Sequence, residues 1–137
     1  MSVIIQPTLT PTECFNFMCG DVGLTTVTKY MPIGWIDNAS TNMKQFVCVK
    51  AFTVKGMQYS CRTAHTAAGS ETVIFSLMKN ENPVSMALII GPGEMSGDTV
   101  GQDVESFVIG DRIGLEVDKS GVILTSPADI SVSMLIQ

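Results

Sequence analysis

From Glu71 to Gln137 the chain repeats one pattern, a short apolar–polar alternation closed by a turn. Val73, Phe75 and Leu77 share one side of an extended segment and Ile74, Ser76 and Met78 the other. In the last ten residues Ile130, Val132, Met134 and Ile136 alternate with Ser131, Ser133, Leu135 and Gln137. A period of two belongs to strands, because successive side chains of an extended backbone point to opposite faces. Glu71–Lys79 also admits a helical reading through its pairs four apart (Val73 and Leu77, Ile74 and Met78). Its β-branched residues and the Asn-Pro punctuation behind it favour the strand.

The punctuation is equally informative. Lys79-Asn80-Glu81-Asn82-Pro83 reads as a polar turn and Val84 to Ile90 as the next strand. Gly91–Gln102 is the longest glycine-rich loop. Strands over Val104–Ile109, Arg112–Val117 and Val122–Leu124 follow, the last two joined by Asp118-Lys119-Ser120-Gly121 as a hairpin turn. Upstream, Leu24–Tyr30 is β-prone, Phe46–Val54 reads as a strand whose phase slips at Ala51-Phe52, and Lys55-Gly56 reads as a turn into Met57–Thr63. Residues 1–12 carry Pro7 and Pro11 and read as an N-terminal arm or an edge strand. About eight short strands in 137 residues predict one all-β domain over 1–137, a two-sheet β-sandwich of jelly-roll type.

Composition narrows the function. Only 15% of residues are charged, against roughly 25% in typical soluble domains, while 45% are hydrophobic and mean hydropathy is +0.32. A chain short of charge can turn some of its surface into subunit contact. The net charge of −5 and eight scattered basic residues lack the concentrated basic footprint of a nucleic-acid binder. No run approaches the roughly 18 apolar residues of a membrane helix, and Met1-Ser-Val-Ile-Ile lacks the basic start of a signal peptide, so synthesis in the cytoplasm without export is expected. Cys14, Cys19, Cys48 and Cys61 read as reduced, buried small hydrophobes, since their spacing matches no zinc knuckle.

No catalytic residue, cofactor site or metal site is expected. The loop Gly91–Gln102 lacks the spacing and the Lys-Ser/Thr of a phosphate cradle. Glu94, Asp98, Asp103 and Glu105 match no calcium-loop pattern and read as a solvated acidic loop. His65 is the sole imidazole, with Ser60, Cys61, Ser70 and Glu71 near it in sequence. Sequence proximity does not make a triad, and a surface or interface histidine is the better reading. Trp35 after Pro-Ile-Gly reads as a core plug. With Tyr30 and Tyr59 it could instead offer a sugar-stacking face. Trp35, Tyr59 and His65 are the candidate ligand or interface contacts.

Lys79-Asn80 and the stretch Phe107-Val108-Ile109-Gly110-Asp111-Arg112-Ile113-Gly114-Leu115-Glu116-Val117 resemble trimeric jelly-roll domains of the C1q/TNF-like type. These are found as phage fibre heads, tail-needle knobs and capsid decoration proteins. From about Phe46 to Gln137 the chain follows that family's order of strands and turns, and Gly34 can fill the place of its opening glycine. Lys79-Asn80-Glu81 stands where the family frequently has Arg/Lys-Asn-Gly. The resemblance implies a homotrimeric virion protein, not an enzyme, whose partners are a host surface receptor or glycan, or capsid or tail proteins. A monomeric carbohydrate-binding β-sandwich module is the alternative from another class.

Overall fold

The structure, a computed structural model, describes residues 13–23, 28–99 and 104–137. The arm or edge strand expected over 1–12 lies outside the described residues, as do Leu24 to Val27 and Asp103. Thirteen strands follow in chain order: β1 (Glu13–Asp21), β2 (Lys29–Met31), β3 (Gly34–Asn38), β4 (Gln45–Val47), β5 (Phe52–Thr63), β6 (Thr66–Ala67), β7 (Val73–Lys79), β8 (Asn82–Ile90), β9 (Ser96–Asp98), β10 (Glu105–Phe107), β11 (Arg112–Lys119), β12 (Ile123–Thr125) and β13 (Ala128–Ile136).

They form an all-β sandwich of two sheets. The first runs β10-β5-β13-β1-β3, with β9 also on β5; the second runs β2-β11-β7-β8, with β4 also on β11. A small third sheet joins β12 to β6. The long strands pair in a nested way. β1 lies against β13, β2 and β4 against β11, β5 against β9 and β10, and β7 against β8, all antiparallel. β3 alone runs parallel to its neighbour β1.

The alternation read from sequence supplies the core. Phe17 and Cys19 of β1, Met57 and Tyr59 of β5 and Val132 and Met134 of β13 meet Phe75 and Leu77 of β7, Leu88 of β8 and Leu115 and Val117 of β11 in one buried cluster. A fully buried side chain of this kind contributes about 1.5–3 kcal/mol relative to the exposed state. β13 lies between β1 and β5, so its four buried residues, Ile130, Val132, Met134 and Ile136, sit mid-sheet.

Several boundaries differ from the sequence reading. Phe46–Val54 is not one strand: β4 belongs to the second sheet and β5 to the first, and the chain crosses between layers over Cys48–Ala51. The crossover is pinned by Cys48, whose N–H donates to Asp111 O at 2.7 Å and whose carbonyl accepts from Gly110 N at 2.9 Å. The phase slip at Ala51-Phe52 is this crossover. Lys55-Gly56 is not a turn but a bulge inside β5. Ile136 pairs with Val54 and Leu135 with Gly56, so Lys55 is skipped and points to solvent. Gly121 has the positive φ expected of a turn (83°), yet β12 leaves β11 and pairs with β6.

The hairpin from β7 to β8 is tighter than the polar stretch implied. Asn80 and Glu81, at φ 51° and 72°, form a two-residue turn with both centres left-handed. Pro83 is tolerated within β8 because β8 is an edge strand of its sheet. The turn is braced from below, since Asn80 Oδ1 accepts from Arg112 N at 2.8 Å and Asn80 Nδ2 donates to Asp111 Oδ1 at 2.9 Å. Asp111 Oδ2 accepts from Val108 N at 2.9 Å, which shapes the turn after β10. That bond and the one from Asn80 hold the Asp111 carboxyl below its usual range, and Lys79 adds to the effect. Thus Val104–Ile109 contains only the three-residue β10.

Candidate interaction surfaces

The inward residues of β1, β5 and β13 leave alternate side chains for the outer face of the first sheet. The register sets Asn16, Ser133 and Gln58 side by side, then Met18, Ser131 and Ser60. Ser133 Oγ donates to Asn16 Oδ1 at 2.7 Å. Neither row contains a charged side chain, although the chain carries a net charge of −5. Charge surrounds them, with Asp98 opposite Gln58 on β9, Lys55 at the β5 bulge, Asp37 beside Trp35 on β3 and the Arg62–Asp129 pair (3.8 Å) at one end.

Trp35 stands beside these rows, paired with Met18 across β3 and β1. It is 55% exposed, so the core-plug reading is overturned. Its indole is seated over Gly20, where a Cβ atom would come within 3.4 Å of the ring and 2.8 Å of the Asp37 carbonyl oxygen. Indole Nε1 donates to Asp37 Oδ1 at 3.1 Å. The ring is held in place while much of it faces solvent.

The outer face of the second sheet is different. Ser76, Ala87 and Glu116 share one row with Tyr30, and Ile74, Ile89 and Asp118 share the next. Burial, and then Asp118, push the Glu116 carboxyl above its usual range. Ile89 on edge strand β8 and Met95 before β9 are exposed on the flank where the two sheets' edges meet.

Tyr59 and His65, expected as contacts, are buried within this chain, which corrects the surface placement of His65. The His65 carbonyl accepts from Gly93 N and its Nε2 sits 3.0 Å from Glu71 O, so backbone on either side draws the ring inward. Tyr59 packs at 5.0 Å against Phe75. Its hydroxyl finds no partner of hydrogen-bond geometry, although the Cys61 thiol lies near enough to push the phenol up together with burial, the larger cause. Ser60 points to the outer face and Cys61 inward, its Sγ 3.9 Å from Glu94 O. No nucleophile is hydrogen-bonded to His65 among the described residues.

The four cysteines are free. Cys19 and Cys48 are buried as expected, whereas Cys14 is exposed and Cys61 half-buried. Burial, helped by Asp21 and Asp129, pushes the Cys19 thiol up to about 12. Cys19 and Cys61 flank Ile130 on adjacent strands, so one whole strand separates them. The acidic residues of the glycine-rich loop disperse. Asp98 is on β9, while Glu105 is on β10 and pairs with Lys79 at 3.3 Å. Among the described residues no group of three His, Cys, Asp or Glu side chains could hold a metal ion, and no helix is long and apolar enough to cross a membrane.

A second apolar surface was not anticipated from the sequence. Val47 and Val49 around the crossover, and Val108 and Ile109 in the turn after β10, are 56%, 86%, 59% and 72% exposed. The two Cys48 backbone bonds hold these loops together. The sequence reading places Val108 and Ile109 in a strand that ends before Gly110-Asp111, whereas β10 stops at Phe107 and leaves both side chains in the turn. No family model matches this chain, and no curated protein matches it.

Proposed function

We propose that this chain is a non-enzymatic virion structural protein, a homotrimeric jelly-roll domain that serves attachment or assembly. The observation that carries self-association is the uncharged patch at the centre of the first sheet's outer face, built from Asn16, Met18, Gln58, Ser60, Ser131 and Ser133. Such a patch loses little on desolvation, since burying unpaired charge is the main cost of closing a contact. On this reading the β8/β9 flank of one subunit, with Ile89 and Met95, meets that face on the next. A heterologous contact of this kind makes a ring when its rotation closes.

The nested pairing of first strand with last supports the jelly roll as the form of the sandwich, because a long hairpin rolled into two layers pairs its strands in that order. The virion role follows from the sequence resemblance around Lys79-Asn80 and Phe107–Val117. The test is absolute mass in solution by light scattering on the eluting peak. A species at three times the chain mass of 14.7 kDa is expected. A monomer at all concentrations would overturn the assembly.

One observation favours the second reading, a monomeric carbohydrate-binding module. The seated, exposed indole of Trp35 offers a flat apolar face to a sugar ring. A monomer whose tryptophan fluorescence shifts on titration with oligosaccharides would support that reading instead.

A further inference from the structure

We infer that the outer edge of β8 takes up an extended, basic segment of a partner protein as an added strand. β8 ends the second sheet, and among the described residues its only backbone partner is β7. The N–H and C=O groups on its other side are therefore unpaired, which is what a docking strand requires. Natural sheet edges are commonly guarded by charge or by brevity. Along the two main sheets β2 carries Lys29, β3 Asp37, β9 Asp98 and β10 Glu105, and β4 has three residues. β8 has nine residues and no charge. Pro83 and a register shift blunt only its first part, because residues 87–90 pair regularly with residues 73–76 of β7.

The surroundings of this edge define the occupant. A groove of about 370 Å³ lies between residues 87–90 and a second wall that contains Glu94, Asp98 and Thr99. That wall includes β9, which pairs only with β5 among the described residues, so the groove runs between two strand edges. β9 comes this near to β8 because residue 97 is glycine: a Cβ atom there would lie 2.8 Å from Ile90 Cδ1. A strand laid along residues 87–90 alternates its side chains between the two faces of the sheet. Those on the outer face come beside the exposed Ile89, which favours an apolar neighbour. Those on the inner face come toward Glu94 and Asp98, exposed carboxylates that pair with no cation among the described residues. Lys or Arg is favoured there. β8 of a second copy contains no cation and does not meet that requirement. The inference does not rest on the assembly proposed above. It uses the same flank, so a chain that holds the strand is not available for the ring contact.

The test follows backbone amides by NMR in the full chain, both native and as Ser133→Arg. That change lies on the other sheet and covers the case in which assembly occludes the flank. The probe is a short acetylated peptide that alternates Val and Thr and carries Lys in a Thr position at its centre. Saturable shifts at β8 and β9 are expected in at least one of the two forms, with slower hydrogen exchange at residues 87–90. The same peptide N-methylated through its centre cannot pair and should leave those amides unmoved. Glu in place of the Lys should weaken binding roughly fivefold, and Glu94→Gln with Asp98→Asn should remove that difference. No shift in either form, or equal binding of the N-methylated peptide, would overturn strand addition. Equal binding of the Lys and Glu peptides would refute the basic occupant. Protection of residues 87–90 that rises with protein concentration alone would assign the edge to a second copy and overturn the separate partner.

Discussion

The two sheets bury the same kinds of side chain against one another and present different faces outward. Inside, Met57, Val132 and Phe17 of one sheet meet Phe75, Leu77 and Leu115 of the other on equal terms. Outside, the first sheet shows two rows of Ser, Asn, Gln and Met with no charge, while the second shows Glu116 and Asp118 among Ser76, Ile74 and Ile89. Folding explains the matched interiors and leaves both outer faces free to vary. The uncharged patch at the centre of one face is what the proposed assembly rests on, and it can be broken one residue at a time.

The largest expected effect is on assembly. Ser133→Arg puts a cation in the middle of the neutral patch and should reduce the proposed trimer to a monomer by light scattering, while Ser76→Arg, set beside Glu116 on the second sheet, should leave the mass unchanged. Equal behaviour of the two variants would remove the distinction between the faces. Next in size is Gly20→Ala. The added methyl meets the Asp37 carbonyl oxygen at 2.8 Å and the Trp35 ring at 3.4 Å. Relieving that overpacking should cost about 1–3 kcal/mol in denaturant unfolding, with a change in tryptophan emission as the indole leaves its seat.

A smaller effect separates the faces by pH. Burial and Asp118 raise the Glu116 carboxyl above its usual value, so ionisation costs more in the folded chain than in the unfolded one. That penalty is present in full above the raised value and disappears as pH falls through it toward the ordinary one. Glu116→Gln should accordingly raise Tm at neutral pH, with the gain shrinking in acid. A gain that persists unchanged below the usual glutamate range would refute the linkage. The smallest perturbation is chemical. In the folded, unassembled chain Cys14 should react rapidly with a maleimide while Cys19, buried and held up to about 12, should not. Trimer formation should slow Cys14 if the neutral face is the contact, because Cys14 lies in the same outward phase of β1 as Asn16 and Met18.

Much of this arrangement was legible in the chain. The alternation of Ile130, Val132, Met134 and Ile136 named both the buried and the outward residues of β13; in β7 it named Val73, Phe75 and Leu77 as inward, while Met78, set on the other side with Ile74 and Ser76, is buried as well. The turn at Asn80 was legible too, though its two-residue form was not. Asn80 and Glu81 are both left-handed, and glutamate gives no local sign of that conformation. His65 is buried against the surface reading, and Trp35 is exposed against the core-plug reading but in keeping with its place among the candidate contacts. A lone histidine among small residues looks exposed, and a lone tryptophan looks buried. Burial is settled by what other segments bring: Gly93 and Glu71 reach His65, while Trp35 is seated over Gly20, which has no side chain to cover it.

By itself, the sequence determined that the chain is built of strands, which side of most of them faces inward, and that too little charge is available to cover its surface. Periodicity and composition are local or summed properties, and they survive without knowledge of neighbours. Only the tertiary structure decided that β13 lies between β1 and β5, that the chain changes layers at Cys48, and that Asn16, Ser133 and Gln58 share one row. These depend on pairings between residues distant in the chain, such as Ser133 with Asn16, 117 positions apart. No local preference encodes such a pairing, and it is selected by the joint burial of both sheets' inner faces.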